Sequence, residues 1–204
     1  MEILNIEIKR QTAVIKLENG ETIVCRRDDV AALGLAPGTE QKNLRSRLCR
    51  HQLDEGYDAA LSLLDYSAKT RQELTKKLQA KGYLDEVIEA VADRLTENRL
   101  LDDKYIAERL VQGAGSRGIY AIKQKLRQKG ISEEDADAAL SEISDEEQAE
   151  AAYNEAVRLS RRYAGLEPRA YKAKLSQALA RRGFTWDSIE SALARLNSED
   201  DFDI

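Results

Sequence analysis

Apolar and polar positions alternate from the start of the chain. Leu4, Ile6 and Ile8 are separated by polar residues, Ala13, Ile15 and Leu17 repeat the pattern, and Ile23, Val24 and Cys25 form a third run. A period of two is that of a strand with one buried face. Between the second and third runs, Glu18-Asn19-Gly20-Glu21 carries the Asn-Gly pair of a tight type I′ hairpin turn. Asp28-Asp29 ahead of Val30-Ala31-Ala32-Leu33 predicts a short helix with an acidic start, stopped by Gly34 and Pro37-Gly38. From Glu40 onward the period becomes helical and stays so almost to the end.

Within the helical part three segments align without a gap: Glu73–Tyr83, Ala121–Ile131 and Lys174–Phe184. Each reads φ-x-x-x-Leu-x-x-[Lys/Arg]-Gly-φ, where φ is a large apolar residue. Apolar residues four apart make one buried stripe. A basic residue in the last turn suits the helix dipole, and the glycine can take the left-handed conformation that ends a helix. Tyr83, Ile131 or Phe184 then folds back onto the stripe. A third helix follows each glycine, with Ile88, Val91 and Leu95, then Ala136, Leu140 and Ile143, then Ile189, Leu193 and Leu196 as its apolar face. A further helix precedes each aligned segment: Leu61–Leu64, then Tyr105, Ala107 and Leu110, then Ala151, Ala156 and Leu159. Thr70–Glu73 is a capping box, Ser132–Asp135 a shorter version of one, and Pro168 suits a first helical turn.

The predicted fold is therefore mainly α: a small N-terminal β-hairpin or three-stranded segment followed by three tandem three-helix repeats in an extended array. The expected organisation is a β-rich segment with a short helix at 1–53, repeats at 54–101, 102–144 and 145–197, and an acidic tail at 198–204.

Composition narrows the function classes. Of 204 residues 34% are charged and 5% aromatic, with a net charge of −5. No apolar run approaches the roughly 20 residues of a membrane span. The N-terminus MEILNIEIKR lacks the basic and apolar regions of a secretory signal, which points to the cytoplasm. Cys25 and Cys49 have no metal-like spacing, and His51 is the only histidine. The two neighbours Cys49 and His51 lie on different faces of a helix, so they read as a packed thiol and a partly exposed imidazole. Gly113-Ala114-Gly115-Ser116-Arg117-Gly118 matches G-x-G-x-x-G by letter. Helical periodicity rather than a strand precedes it, so it reads as a flexible interhelix loop. No catalytic residue, metal site or cofactor is expected, and the chain does not read as an enzyme.

The net charge conceals segregation. The aligned helices are basic: Lys76, Lys77 and Lys81 in the first, Lys123, Arg127 and Lys129 in the second, Arg169, Lys172, Lys174, Arg181 and Arg182 in the third. The helices after the glycines are acidic. The pattern has two readings. In one it reflects attraction between neighbouring helices and charges suited to helix ends, for which Lys81, Lys129 and Arg182 are placed. In the other the basic helices line one side of an extended body that meets a polyanion or an acidic protein groove. Aromatic interleaving for base stacking is not visible in the pattern.

These segments resemble a known family. Tyr66–Tyr83, Arg99-Leu100-Leu101-Asp102-Asp103-Lys104-Tyr105-Ile106-Ala107-Glu108 and the run from Ile122 to Ile131 are similar to the repeats of RecX regulatory proteins, and Leu33-Gly34-Leu35-x-Pro37-Gly38 is similar to the end of their N-terminal segment. The resemblance implies a non-enzymatic monomer that binds the RecA recombinase filament on single-stranded DNA, lies in its groove, and inhibits ATP hydrolysis, strand exchange and co-protease activity. Single-stranded DNA would be contacted within the filament, and no membrane would be involved. Relatives often carry a dense Arg-rich stretch before the second aligned helix, where this chain has only Arg117. A different class, a sequence-tolerant helical protein acting directly on DNA or RNA, predicts tight and strongly salt-dependent binding to bare nucleic acid. A generic helical adaptor would bind neither target.

Overall fold

The computed structural model describes the backbone of residues 1–200 and the side chains of residues 1–198. Positions 201–204 of the expected acidic tail lie outside the described residues. The chain forms two compact units, Met1–Asp102 and Asp103–Ile204.

The first unit opens with an antiparallel sheet of β1 (Ile3–Ile8), β2 (Thr12–Leu17) and β3 (Thr22–Arg26), in the order β1-β2-β3. The alternation in β2 and β3 holds, with Ala13, Ile15, Leu17, Ile23 and Cys25 all buried. In β1 it fails. Ile3 is buried while Leu4 and Ile8 are exposed. The register slips between Ile3, opposite Leu17, and Asn5, opposite Lys16. This bulge takes Leu4 out of the alternation, so Ile3 and Ile6 share the core-facing side despite their odd spacing.

The Asn-Gly turn also differs from expectation. Gly20 has φ +84°, but Asn19 is not among the residues with positive φ, which a type I′ turn requires at both positions. Gly20 N–H donates to the Leu17 carbonyl and Leu17 N–H to that of Glu21. The connection is thus a three-residue loop, a type I turn closed by a left-handed glycine.

Helix α1 (Arg27–Ala32) follows β3 directly, then α2 (Leu44–Tyr66), α3 (Arg71–Lys81) and α4 (Asp85–Glu97). One core joins the sheet to these helices. Gln52, fully buried on α2, ties them together. Its Oε1 accepts the Leu84 N–H at 2.8 Å, and its Nε2 donates to Asp29 Oδ2 at 2.6 Å and to the Gly82 carbonyl at 3.3 Å.

The second unit comprises α5 (Asp103–Gln112), α6 (Ile119–Gln128), α7 (Glu133–Leu140), α8 (Asp145–Tyr163), α9 (Pro168–Arg181) and α10 (Trp186–Asp200). It has two cores, one under α5–α7 and one under α8–α10. In α5 the buried positions are Ala107 and Val111, whereas Tyr105 is exposed. Pro168 occupies the first turn of α9 as expected.

The repeated glycine motif is the same device three times. Gly82, Gly130 and Gly183 have φ of +89°, +77° and +86°. The N–H of the following Tyr83, Ile131 or Phe184 donates to the carbonyl of Leu78, Leu126 or Leu179, five residues back, and each glycine N–H donates three residues back. This is the Schellman closure, and the residue after each glycine is buried, as its hydrophobic contact requires.

Gly118 is not a flexible spacer. Its N–H donates to the Arg182 carbonyl at 3.1 Å and the Tyr120 N–H to that of Gly183 at 2.9 Å. A Cβ at Gly118 would fall on the Gly183 backbone. Gln148 Oε1 accepts the neighbouring Ile119 N–H at 2.9 Å, so this backbone junction joins the two cores of the second unit.

Candidate partner-binding surface

The eleven basic positions singled out by charge fall into two groups. The first group is engaged within its own unit. Lys123 Nζ lies 2.6 Å from Asp137 Oδ1 and 3.6 Å from Glu133 Oε1, both on or at the start of α7, and the Asp137 bond raises its pKa above the usual lysine value. Arg182 pairs with Glu155, which is 4% exposed and also bonded to Arg158. The Arg158 bond, reinforced by Arg182, holds the Glu155 carboxyl below its ordinary range. Lys129 is half-buried at the end of α6. Arg71 plays the equivalent part in the first unit, with Glu89 and Asp93 of α4 each at 2.6 Å.

The second group faces outward. Lys77, Lys81, Arg127, Arg169, Lys172, Lys174 and Arg181 are exposed, and none pairs with an acid among the described residues. Lys76 is exposed too, its ammonium hydrogen-bonded to Gln72 at 3.0 Å. Attraction to the acidic helix after its glycine therefore accounts for Lys123, Glu155 of α8 takes up Arg182, and most of α9 is left uncompensated. Helix α9 carries no acidic residue. Arg169 and Lys172 line a shallow depression together with Ala173, Ser176, Gln177 and Ala180.

Two features escaped the sequence reading. Trp186, the only tryptophan, closes one side of that depression with 68% of its surface exposed. Its spacing from Ile189 places it on the apolar stripe of α10, but it occupies the first turn, beyond the reach of the core. The second is a hollow in the first unit lined by Arg10, Gln11, Arg26, Arg27, Asp28, Lys81 and Tyr83, in which the β1–β2 turn brings in Arg10 and Asp28 lies 3.6 Å from Arg26. Arg26 stacks over the Tyr83 ring at 5.1 Å.

Cys25 is fully buried on β3, and burial, with a smaller contribution from Asp29, pushes its pKa up to about 12. His51 Nε2 lies 3.7 Å from Asp29 Oδ1. Among the described residues no group of three or more His, Cys, Asp or Glu is placed to hold a metal ion, and no helix is long and apolar enough to cross a membrane.

Comparison with known proteins matches each helical repeat separately. The first, second and third three-helix domains of RecX match residues 57–95, 102–140 and 145–193. The chain belongs to the RecX family. Regulatory protein RecX of Streptococcus uberis is 30% identical over 98% of this chain and 79% of its own length. That of Lactococcus lactis subsp. cremoris is 38% identical over 79% of this chain and 62% of its own. The crystal structure of RecX from Lactobacillus salivarius superposes with a TM-score of 0.68 at 30% identity, over 72% of this chain and 98% of that one. A second RecX crystal structure gives 0.67 at 28% identity over 93% and 97%. The three RecX domains correspond to the three glycine-closed repeats, and the sheet with α1 precedes the first of them.

Proposed function

We propose that this RecX-family chain binds the RecA recombinase, above all its filament on single-stranded DNA, and inhibits ATP hydrolysis, strand exchange and co-protease activity. It acts in the cytoplasm as a monomer and catalyses no reaction itself. The observation that carries this reading is the match of all three helical repeats to RecX domains. The outward cations support it. A helix such as α9, basic along its length and free of acids, suits an acidic protein groove with DNA phosphates nearby. Repeated contacts of modest strength along one lattice add through effective concentration.

The test is inhibition of recombinase ATPase on single-stranded DNA. Reversing Arg169, Lys172 and Lys174 to Glu removes three exposed cations. At about 0.5–1 kcal/mol each, the half-inhibitory concentration rises about tenfold or more, with helical content unchanged. Reversing Lys123 weakens folding as well as binding, since it serves α7, and Arg127 is the cleaner probe on α6. Inhibition unaffected by all of these changes would remove the basic helices from the interface.

A further inference from the structure

We propose that Trp186, Arg169 and Lys172 form a platform for one nucleotide of a single strand, the base stacked on the indole and the phosphate held by the two cations. This deepens the reading above, from which it takes α9 as a partner-facing helix, and it assigns to the third repeat a contact with nucleic acid itself.

Local structure fixes the backbone that carries the indole. Phe184 is buried, Thr185 Oγ1 accepts the Ser188 N–H at 3.2 Å, and the Ile189 N–H donates to the Thr185 carbonyl at 3.0 Å. Trp186 therefore starts α10 from a rigid cap, pinned on both sides in the chain. The residue itself remains 68% exposed, more than any other large apolar residue except Tyr66 among the described residues. An indole left so open on a fixed backbone is a flat surface without a partner.

The surroundings decide the partner. Beside the ring the depression is lined by the small side chains Ala173, Ser176 and Ala180 together with the uncharged Gln177, so a planar group can approach and meet an amide as well as the indole. Arg169 and Lys172 stand at the rim one helical turn apart, without an acidic partner among the described residues. Asp187 follows Trp186 in the chain but does not line the depression. An acidic peptide would satisfy the cations and leave the ring face unused. A nucleotide satisfies both, since every base offers a π face and every linkage a phosphate; this is how sequence-tolerant single-strand binders work.

The single tryptophan makes the test direct. The full chain is titrated with an oligothymidylate of about 16 nucleotides at low and moderate salt, without recombinase, following intrinsic fluorescence and, separately, anisotropy of a labelled oligonucleotide. The expected result is saturable quenching that weakens with salt. Trp186→Ala weakens binding about fivefold or more, Trp186→Phe retains part of it, and Arg169→Glu with Lys172→Glu weakens it while the indole stays present. Circular dichroism confirms that the exposed substitutions leave the fold intact. Absence of quenching, or anisotropy affinities unchanged in Trp186→Ala, overturns the platform. So does a Trp186→Ala protein that loses recombinase inhibition but binds the oligonucleotide normally, because the ring then faces protein. Failure of the recombinase reading would be seen separately, as oligonucleotide binding without any ATPase inhibition.

Discussion

Replacing Gly118 with Ala should loosen the second unit at the junction between its two cores. Gly118 has φ −72° and ψ 152°, a conformation any residue adopts, so the change carries no backbone strain of its own. The added methyl group meets the carbonyl carbon of Gly183 and the nitrogen of Phe184, which are main-chain atoms and cannot swing away. Relief requires α6 and the end of α9 to separate, which stretches the Gly118–Arg182 and Tyr120–Gly183 hydrogen bonds. Overpacking costs about 1–3 kcal/mol and each of the two weakened bonds about 0.5–1.5 kcal/mol, giving about 2–6 kcal/mol in all. For a unit of this size the melting temperature of its transition falls by about 10 °C or more. Gly113→Ala is the control: its methyl touches only the Arg109 carbonyl, at 3.2 Å, and its cost stays within about 1 kcal/mol. Thermal and urea unfolding, followed by circular dichroism and by Trp186 fluorescence, reads both variants. A Gly118→Ala protein as stable as its parent would refute the steric argument.

Glu155, buried and bonded to Arg158 and Arg182, has its pKa lowered in the fold. It therefore stabilises the fold above its unfolded pKa of about 4.3, and that stabilisation fades as pH falls through the lower folded value. Glu155→Gln should cost most near neutrality, with the gap in calorimetric melting temperature narrowing as pH drops below about 4; a gap independent of pH contradicts this. Cys25, with its thiol pushed up to about 12, should be silent to a disulfide reagent at about pH 8 until the fold is opened. Cys25→Ser then leaves the native rate unchanged, and a fall in native labelling on that substitution would contradict the burial.

Periodicity and caps made most of the fold legible. The Leu-x-x-[Lys/Arg]-Gly-φ motif places a helix stripe, its stop and the returning apolar side chain within eleven residues, so it could be read locally. What escaped depended on pairing across the chain. The bulge that puts Ile3 rather than Leu4 in the core exists only opposite Leu17 and Lys16. The turn at Asn19-Gly20 follows the strand register rather than the dipeptide. Gly118 looked like loop composition because its reason, the Gly183 backbone, lies far along the sequence. Charge segregation located the basic helices, but it did not distinguish Lys123 and Arg182, spent on internal acids, from Arg169 and Lys172, which are open. Trp186 was hidden by its helical spacing from Ile189.

The most direct measurement is co-sedimentation with RecA filaments on single-stranded DNA, beside bare DNA at two salt concentrations. The account predicts that the chain pellets with filaments about a hundredfold more tightly than with bare strands, and that reversal of Arg169, Lys172 and Lys174 releases it. Equal affinity for coated and bare DNA, with the same steep salt dependence for both, would contradict it and make nucleic acid the primary target.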